Sequence, residues 1–534
     1  MQTVRPRARR IRRATIGLLQ PFLFAVLVPA AVAQTKLYDV EPPTPIDNGV
    51  FGFDAISVGD RNSDGVPDFS VTDQTGVHIF DGVDGDLLFT ITGPPDSSGF
   101  GFGSQGTFGT PVGLIRNQTS DVLAIGASGA NMLGRAFTFN GAGQLAFAFD
   151  SPGGGEFGTA VVDAGDPDGD GFHRIGIGAA SGEGVVYFYD SFTGMLTDSL
   201  KSPDPHDGSL FGLVIRNMGD LNNDGVDELL VSAPTDVVSG FNGAGRAFVF
   251  NGATLQFIYA LESPNPEESG VFGAAIDNIG DVDDDGAADI AVSAFREDAG
   301  GNDAGRVYVF SGADGTPLFD VFSPNPQANG WFGRSVTGVG DVDGDGLPDI
   351  AVAAANENNQ AGRVYLFTGD DQYITTIEPD EADGDTILFG IDLAAVGDVN
   401  GDGRSDLFIG APLFDRGAIQ DAGAGSVWSY MEGGVANEQE PTLLAGTVLH
   451  PTYPNPMGRV ATIRFDVPAS THVRLSVYDT LGREIAVLRD AHLAAGSYDN
   501  TWNAGSFADG VYFFRLSAGN VVRTSSVTRI IKSP

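Results

Sequence analysis

The chain repeats one pattern of hydrophobic and polar positions over most of its length. Each repeat has a Phe-Gly pair, an acidic loop, a fully apolar run such as LLVSAP or IAVAAA, and an alternating segment such as GRVYVF. Short apolar runs and period-two alternation, bounded by Gly, Pro, Asn and Asp, predict β-strands. No amphipathic helix of useful length interrupts this region. An all-β fold is therefore predicted for it.

Six repeats carry the complete pattern, in which an Asp follows the Phe by nine positions. The pairs are Phe51 and Asp60, Phe157 and Asp166, Phe211 and Asp220, Phe272 and Asp281, Phe332 and Asp341, and Phe389 and Asp398. A seventh repeat begins at Phe108 but has Asn117 in place of the Asp and lacks the acidic loop. A period of roughly 50 to 60 residues with about four strands per repeat is typical of propeller blades. We therefore predict a seven-bladed β-propeller over residues 34–435.

A closing strand for this ring is also readable in the sequence. The segment KLYDVEPPTPIDNGVFG, which begins at Lys36, aligns without gaps to PLFDVFSPNPQANGWFG, which begins at Pro317. The piece before the first repeat thus resembles a fourth strand, and the last repeat ends at SVWSYMEGG without one. Residues 36–42 are expected to pair into the seventh blade, which would remove the open sheet edges.

The acidic loops have the spacing of an oxygen-ligand metal site. In GDVDGDGLPDI, Asp341, Asp343, Asp345 and Asp349 crowd together and would repel one another without a cation. Calcium takes six to eight oxygen ligands, and a Gly after the third carboxylate permits the sharp turn that gathers them. These four side chains are the expected ligands, with the Leu347 carbonyl as a fifth.

Four other loops keep this pattern, and a further one departs from it. In DPDGDGFHR the last carboxylate is replaced by Arg174, so a weak or unfilled site is expected there. An EF-hand would need Glu at the twelfth loop position, where this chain has an apolar β-branched residue. These residues are Val71, Val231, Val292, Val352 and Ile409. Solvated Asp-rich turns without specific ion binding remain the alternative.

The Phe-Gly pairs, the acidic loops, the turns at Ser232-Ala233-Pro234 and Gly410-Ala411-Pro412, and the Gly-Arg strands resemble the FG-GAP repeats of the integrin alpha-subunit propeller. The resemblance implies seven blades, calcium in loops on one face, and ligands or partner subunits on the other. It implies these calcium ligands: Asp60, Asn62, Asp64, Asp68, Asp220, Asn222, Asp224, Glu228, Asp281, Asp283, Asp285, Asp289, Asp341, Asp343, Asp345, Asp349, Asp398, Asn400, Asp402 and Asp406. Two features depart from the family: the second repeat lacks its loop, and integrin-like chains bind metal in fewer blades.

Residues 1–33 have the features of a signal peptide. A basic segment precedes an apolar core and an Ala31-Val32-Ala33 cleavage motif, so cleavage is expected near Ala33. A retained membrane anchor is the alternative, although Pro21 and Pro29 interrupt the apolar run. No other stretch is long and apolar enough to span a bilayer, so the mature chain is expected to have no transmembrane segment.

The charge balance and the composition narrow the partners and the chemistry. The chain has 29 basic and 70 acidic residues, a formal net charge of −41, and no cysteine. Because the chain is strongly acidic, nucleic acid is not expected as a partner. Because it has no cysteine, it can form neither disulfide bonds nor thiolate metal sites. The sequence has no H-E-x-x-H or G-x-S-x-G motif, so no standard catalytic arrangement is predicted.

The region after the propeller predicts a separate domain. A linker over residues 436–450 precedes short alternating strands in residues 451–534, which predict a small Ig-like β-sandwich. YPNP at 453–456, VYDTLGRE at 477–484, GVY at 510–512 and a Lys close to the last residue resemble the C-terminal sorting domain of the type IX secretion system. That resemblance implies export across the outer membrane and a partner in the secretion machinery. In that family the domain is commonly removed, and the passenger is released or attached to surface lipopolysaccharide. Ig-like modules of flagellar hook-capping proteins, or a plain accessory domain, are the alternatives.

Two functional hypotheses follow. The first is a non-catalytic, secreted or cell-surface propeller that binds an extracellular protein or glycan through the variable loops before the Gly-Arg strands, such as TDVVSGFNGAGR and REDAGGNDAGR. The alternative is a carbohydrate-active enzyme, a glycosidase or lyase, that uses acids outside the repeats. Its candidates are Glu183, Glu297, Asp298 and Glu357, two of which would have to converge to about 5–10 Å.

Overall fold

The computed structural model describes most of the chain. It describes residues 33–94, 112–118, 120–129, 133–153, 155–221, 226–379, 386–415, 419–431, 448–449, 460–467, 471–478, 484–493, 496–503, 511–518 and 521–529. The chain divides into two compact units, 1–434 and 435–534. The expected signal peptide up to residue 32 and nearly all of the expected linker lie outside the described residues.

The described part of the first unit is built from seven antiparallel sheets of four strands each. Sheet 1 contains β2 (Ala55–Gly59), β3 (Asp68–Thr72), β4 (Val77–Phe80) and β5 (Leu87–Ile91). Sheet 2 contains β6 (Val112–Ile115), β7 (Val122–Ala127), β8 (Arg135–Phe139) and β9 (Leu145–Asp150). Sheet 3 contains β10 (Phe157–Asp163), β11 (Arg174–Ala179), β12 (Val185–Asp190) and β13 (Leu196–Leu200).

The remaining sheets follow the same order along the chain. Sheet 4 contains β14 (Ile215–Asn217), β15 (Glu228–Ala233), β16 (Arg246–Asn251) and β17 (Phe257–Glu262). Sheet 5 contains β18 (Ile276–Gly280), β19 (Asp289–Ala294), β20 (Arg306–Phe310) and β21 (Pro317–Phe322). Sheet 6 contains β22 (Phe332–Gly340), β23 (Asp349–Ala354), the short turn α1 (Glu357–Gln360), β24 (Arg363–Phe367) and β25 (Tyr373–Ile377). Sheet 7 contains β26 (Leu393–Gly397), β27 (Asp406–Ala411), β28 (Ala424–Met431) and β1 (Ala33–Val40).

Sheet 7 joins the first and the last strands described in the first unit. Strand β1 pairs antiparallel with β28, with Tyr38 opposite Val427 and Val40 opposite Gly425. The pairing expected from the sequence alignment is confirmed, although the strand ends at Val40 rather than at residue 42. The last sheet is therefore completed by the segment that precedes the first Phe-Gly pair.

The seven sheets follow one another in a cycle. The first strand of each sheet contacts the first strand of the next, from β2 through β6, β10, β14, β18 and β22 to β26, and β26 contacts β2. This cyclic packing of four-stranded antiparallel sheets is the arrangement of a β-propeller, in which the first strands lie innermost.

The recurring glycines mark where neighbouring sheets touch. Gly245, which begins a Gly-Arg strand, has φ +88°, and a Cβ there would lie 2.1 Å from the carbonyl oxygen of Phe272 in the next sheet. Gly305 makes the same approach to Phe332, also at 2.1 Å. Each Phe of these pairs is fully buried. The Phe-Gly and Gly-Arg patterns are thus two halves of one contact between successive sheets.

The second unit is also made of strands. One sheet orders β29 (Val448–Leu449), β30 (Val460–Val467) and β33 (Gly496–Asn503). The other orders β32 (Glu484–Leu493), β31 (Thr471–Tyr478), β34 (Val511–Ala518) and β35 (Val521–Arg529). Phe465, Leu475, Trp502 and Phe514 are buried in one hydrophobic cluster. Among the described residues of the whole chain, no helix is long and apolar enough to cross a membrane.

Candidate metal-binding loops

The acidic loops occupy one position in every sheet that carries them. Each loop connects the first strand of its sheet to the second, and the second strand begins at or next to the last residue of the acidic pattern. Strand β23, for example, begins at Asp349, and β19 begins at Asp289. Because the sheets are related around a cycle, all of these loops lie at the same end of the propeller.

The loop in sheet 6 is held by hydrogen bonds from its own backbone. Asp341 accepts the amide hydrogens of Gly344 at 2.6 Å and of Gly346 at 2.9 Å, and Asp345 accepts that of Leu347 at 2.8 Å. Carboxylate oxygens of Asp341, Asp343 and Asp349 consequently lie within 4.8 Å of one another. Oxygens bound to one calcium ion at about 2.3–2.6 Å have separations of this order, so the donor set fits a hard cation.

The loop in sheet 5 also brings three carboxylates together, but from a different set of loop positions. Carboxylate oxygens of Asp281, Asp283 and Asp285 lie within 4.8 Å of one another. Asp281 accepts the amide hydrogen of Gly286 at 2.8 Å, which repeats the contact made by Asp341. Two consecutive sheets therefore each present three converging carboxylates, from the first, third and fifth loop positions in sheet 5 and from the first, third and ninth in sheet 6.

The ninth-position carboxylate is buried and ties the loop to the sheet. Asp349 accepts backbone amide hydrogens from Val342 at 2.7 Å and from Gly369 at 3.2 Å. The equivalent residues Asp68, Glu228, Asp289 and Asp406 are also buried, and each accepts an amide hydrogen from the residue after the first loop carboxylate. These bonds fix the position of one oxygen-bearing side chain at the base of each loop.

Burial perturbs the titration of these carboxyls. Burial, with a further contribution from the charge of Asp343 and Asp345, raises the pKa of Asp349 to about 7. Burial likewise raises the pKa of Asp289 and of Asp406 to about 6. A dication beside such a carboxyl would favour its ionised form, because opposite charge lowers the pKa of an acid.

Loops with Asn at the third position are arranged differently. The Asn62 side-chain amide donates hydrogen bonds to Asp64 and Asp81, both at 2.9 Å. Asn400 similarly donates to Asp402 at 3.0 Å and to Asp406 at 3.2 Å. The acids Asp60, Asp64 and Asp68, and likewise Asp398, Asp402 and Asp406, form no three-carboxylate cluster of the kind found in sheets 5 and 6. In these two loops an amide nitrogen lies among the carboxylates, so ion binding would require the amide to turn its oxygen inward.

The loop in sheet 4 is described only in part. Glu228 accepts the amide hydrogen of Leu221 at 2.8 Å, and Asp220 is described, whereas Asn222 and Asp224 lie outside the described residues. The expected ligand set of this loop therefore remains a prediction.

The loop in sheet 3 brings its acids together despite its missing fourth carboxylate. Oxygens of Asp166, Asp168 and Asp170 lie within 4.8 Å of one another. Arg174 instead donates a hydrogen bond to the Gly252 carbonyl and lies over the Phe188 ring, with 5.3 Å to its centroid. The sequence indicated the loss of the ligand but not the convergence of the three remaining acids.

Two of the acids considered for catalysis, Glu297 and Glu357, are held by side-chain hydrogen bonds from a neighbouring segment. Glu297 is buried in sheet 5 and accepts hydrogen bonds from Ser263 and Tyr308. Glu357 has the same place in sheet 6, where it accepts hydrogen bonds from Ser323 and Tyr365. Both Ser residues belong to a Ser-Pro-Asn-Pro segment that follows the last strand of the preceding sheet. Glu297 therefore connects sheet 5 to the segment that follows sheet 4, and Glu357 connects sheet 6 to the segment that follows sheet 5.

The other two catalytic candidates lie at exposed positions. Glu183 is exposed in the turn between β11 and β12. Asp298 accepts the amide hydrogen of Asp303 at 2.9 Å within its own exposed loop. The recurring Ser-Pro-Asn-Pro segment was the sequence signal that could have assigned Glu297 and Glu357 a structural role.

Known families match two regions of the chain. The FG-GAP repeat matches residues 332–367 and 389–430, and the secretion system C-terminal sorting domain matches residues 451–532. Integrin alpha-4 of Xenopus laevis is 33% identical over 181 residues, which cover 32% of this chain and 17% of the integrin. Integrin alpha-5 of Xenopus laevis is 34% identical over 158 residues, which cover 27% of this chain and 15% of that integrin. Integrin alpha-10 of Homo sapiens is 35% identical over 155 residues, which cover 28% of this chain and 13% of that integrin.

Both FG-GAP matches lie within the last two sheets of the first unit, and part of the chain is similar to integrin alpha subunits. The chain carries FG-GAP repeats, is homologous in part to integrin alpha subunits, and carries a secretion sorting domain, as the sequence motifs indicated. It spans less than a fifth of the length of these curated relatives. The sorting domain supports secretion and attachment at the cell surface.

Proposed function

We propose that this protein is a non-catalytic binding module of the bacterial cell surface, built on a calcium-stabilised propeller of seven blades. Each four-stranded sheet is one blade, and β1 closes the ring. The second unit is an Ig-like domain that directs export by the type IX secretion system. The expected signal peptide at residues 1–33 would first bring the chain across the inner membrane.

The observation that carries this proposal is the recurrence of three converging carboxylates at the same end of three sheets. Oxygens from three acids approach within 4.8 Å in sheets 3, 5 and 6. Uncompensated carboxylates at such distances repel one another, and a hard dication reverses that repulsion. We assign calcium to the five complete loops, in sheets 1, 4, 5, 6 and 7, and regard the Asp166 loop as a weaker site.

The ligand-binding surface is assigned to the opposite end of the propeller. The loops between the second and third strands lie there, because adjacent strands are antiparallel. They vary in length and chemistry, as in 235–246, 296–306 and 356–363, while the strands around them repeat. Variable loops on a rigid scaffold are typical of recognition sites. An extracellular protein or glycan is the proposed partner.

Export is tested by removing the sorting domain. A chain without residues 451–534 is expected to accumulate in the periplasm of a host that has the type IX secretion system, whereas the full chain reaches the surface. Surface labelling and cell fractionation measure the difference. A deletion of residues 436–447, the part of the expected linker that precedes β29, is the matched control and should leave export intact. Surface delivery of the shortened chain would contradict the export assignment.

A further inference from the structure

The propeller encloses a charged cavity that reaches the acidic loops at one end, where His173 and Asp227 line it, and extends away from them at the other. Its volume is about 700 Å³, and first strands of the sheets line it. Five aspartates, three arginines and one histidine face this space. A volume between about 300 and 1,000 Å³ with a few convergent polar groups is typical of small-molecule sites.

Two aspartates meet at the end of this cavity that lies away from the acidic loops. Asp54 directly precedes β2, and Asp392 directly precedes β26, so both lie where the innermost strands begin. Asp392 accepts the amide hydrogen of Ala55 at 2.9 Å, which brings it beside Asp54. The acidic loops follow these strands and therefore lie at the other end.

The neighbouring charges are mostly balanced against one another. Arg216 lies 3.5 Å from Asp277, which also accepts a hydrogen bond from Thr337 at 2.8 Å. Arg334 interacts electrostatically with Asp392. Three aspartates thus share this part of the cavity with two arginines, and the cluster would carry an excess of one negative charge with all five groups ionised.

Asp54 is the group that this cluster leaves unsatisfied. Asp54 is only 3% exposed to solvent. Its buried Oδ2 accepts no hydrogen bond from any of the described residues. A buried carboxylate oxygen without a donor is unfavourable, so a ligand that donates to it is stabilised there. Burial and the charge of Asp392 also raise the pKa of Asp54 well above its usual range, and a positive ligand would reverse that shift.

We propose that this end of the central cavity binds the primary ammonium group of a small organic amine between Asp54 and Asp392. An ammonium carries one positive charge and three N–H donors, which match the single excess charge and the unsatisfied oxygen. Calcium fits less well, because it needs six to eight oxygens and would face Arg216 and Arg334. This site goes beyond the surface-binding role and is independent of the loops.

The test uses the full chain saturated with calcium, titrated calorimetrically with butylammonium chloride. Tetramethylammonium is the matched probe, because it has the same charge but no N–H donor. Butylammonium is expected to bind at least about tenfold more tightly. Asp54→Asn should weaken butylammonium binding by a similar factor. Asp198→Asn removes the same charge from the exposed strand β13 and should leave binding unchanged.

Several outcomes would overturn the proposal. These are an absence of butylammonium binding, equal binding of tetramethylammonium, unchanged binding by Asp54→Asn, or displacement of the amine by added calcium. If Asp54→Asn does not fold, as judged by circular dichroism, Asp392→Asn replaces it. A capped lysine, Nα-acetyl-lysine N-methylamide, presents the same group as a protein side chain. It should bind more weakly than butylammonium in an enclosing cavity, and tighter binding would overturn the assignment to a small free amine.

Discussion

Removing calcium with excess EDTA should lower the melting temperature of the full chain by a large amount. Each filled site contributes about 2.7 kcal/mol to the free energy of unfolding when free calcium is about 100-fold above its dissociation constant. Several such sites act on one ring, so their contributions combine. Magnesium should not restore the lost stability, because it requires near-octahedral geometry at about 2.0–2.1 Å. Differential scanning calorimetry in calcium, in EDTA, and in EDTA with excess magnesium measures the effect.

The size of this effect should depend on pH in a defined direction. The raised pKa of Asp349, about 7, means that the ion-free fold prefers this carboxyl protonated, and loses stability as pH rises through 7. Calcium binds the ionised form and must displace that proton at lower pH. The stabilisation by calcium should therefore be larger at pH 8 than at pH 6. An equal stabilisation at both values would argue against Asp349 as a ligand.

Removing β1 should open the ring. A chain that begins at residue 41 lacks the whole strand, including the fully buried Val40, and leaves β28 as an exposed edge. Each buried aliphatic side chain lost from a core costs about 1.5–3 kcal/mol, and the backbone pairing of the strand is lost as well. An unprotected edge also invites pairing with another chain. We expect a strongly lowered melting temperature and concentration-dependent oligomers, compared with a chain that begins at residue 34.

Two substitutions refine this comparison. Val40→Asp places an unpaired charge in the core of sheet 7 and should mimic the deletion, while Lys36→Ala changes a partly exposed residue of the same strand and should have little effect. Melting temperature and size-exclusion chromatography measure both. A shortened chain that stays monomeric with an unchanged melting temperature would show that β1 does not hold the ring together.

Much of the fold could be predicted because each sheet repeats a local pattern. The Phe-Gly and Gly-Arg segments recur in phase since they form the same contact in successive sheets, as Phe272 and Gly245 show. The closing strand was readable because residues before the first repeat align with a fourth strand elsewhere. Such features depend on nearby residues and on repetition, and both are visible in one sequence.

The details of the candidate sites depended on contacts that the repeat pattern does not encode. The amide groups of Asn62 and Asn400 share the acidic pattern with Asp residues, yet they donate hydrogen bonds where a carboxylate could only accept. Likewise, Asp54 and Asp392 come together only because the ring closes, which joins residues from its two ends. Glu297 and Glu357 attracted a catalytic hypothesis because the recurring Ser-Pro-Asn-Pro segment was not connected with them, although its Ser residues are their hydrogen-bond donors.

The number of calcium ions bound by the full chain tests the central claim most directly. Equilibrium dialysis followed by elemental analysis should find about one ion for each of the five complete loops, with a weaker sixth in the Asp166 loop. The double variant Asp341→Asn, Asp343→Asn should lose one ion, whereas Asp198→Asn should lose none. If the native chain binds no calcium, or if the double variant binds as many ions as the native chain, the assignment of the loops as metal sites is contradicted.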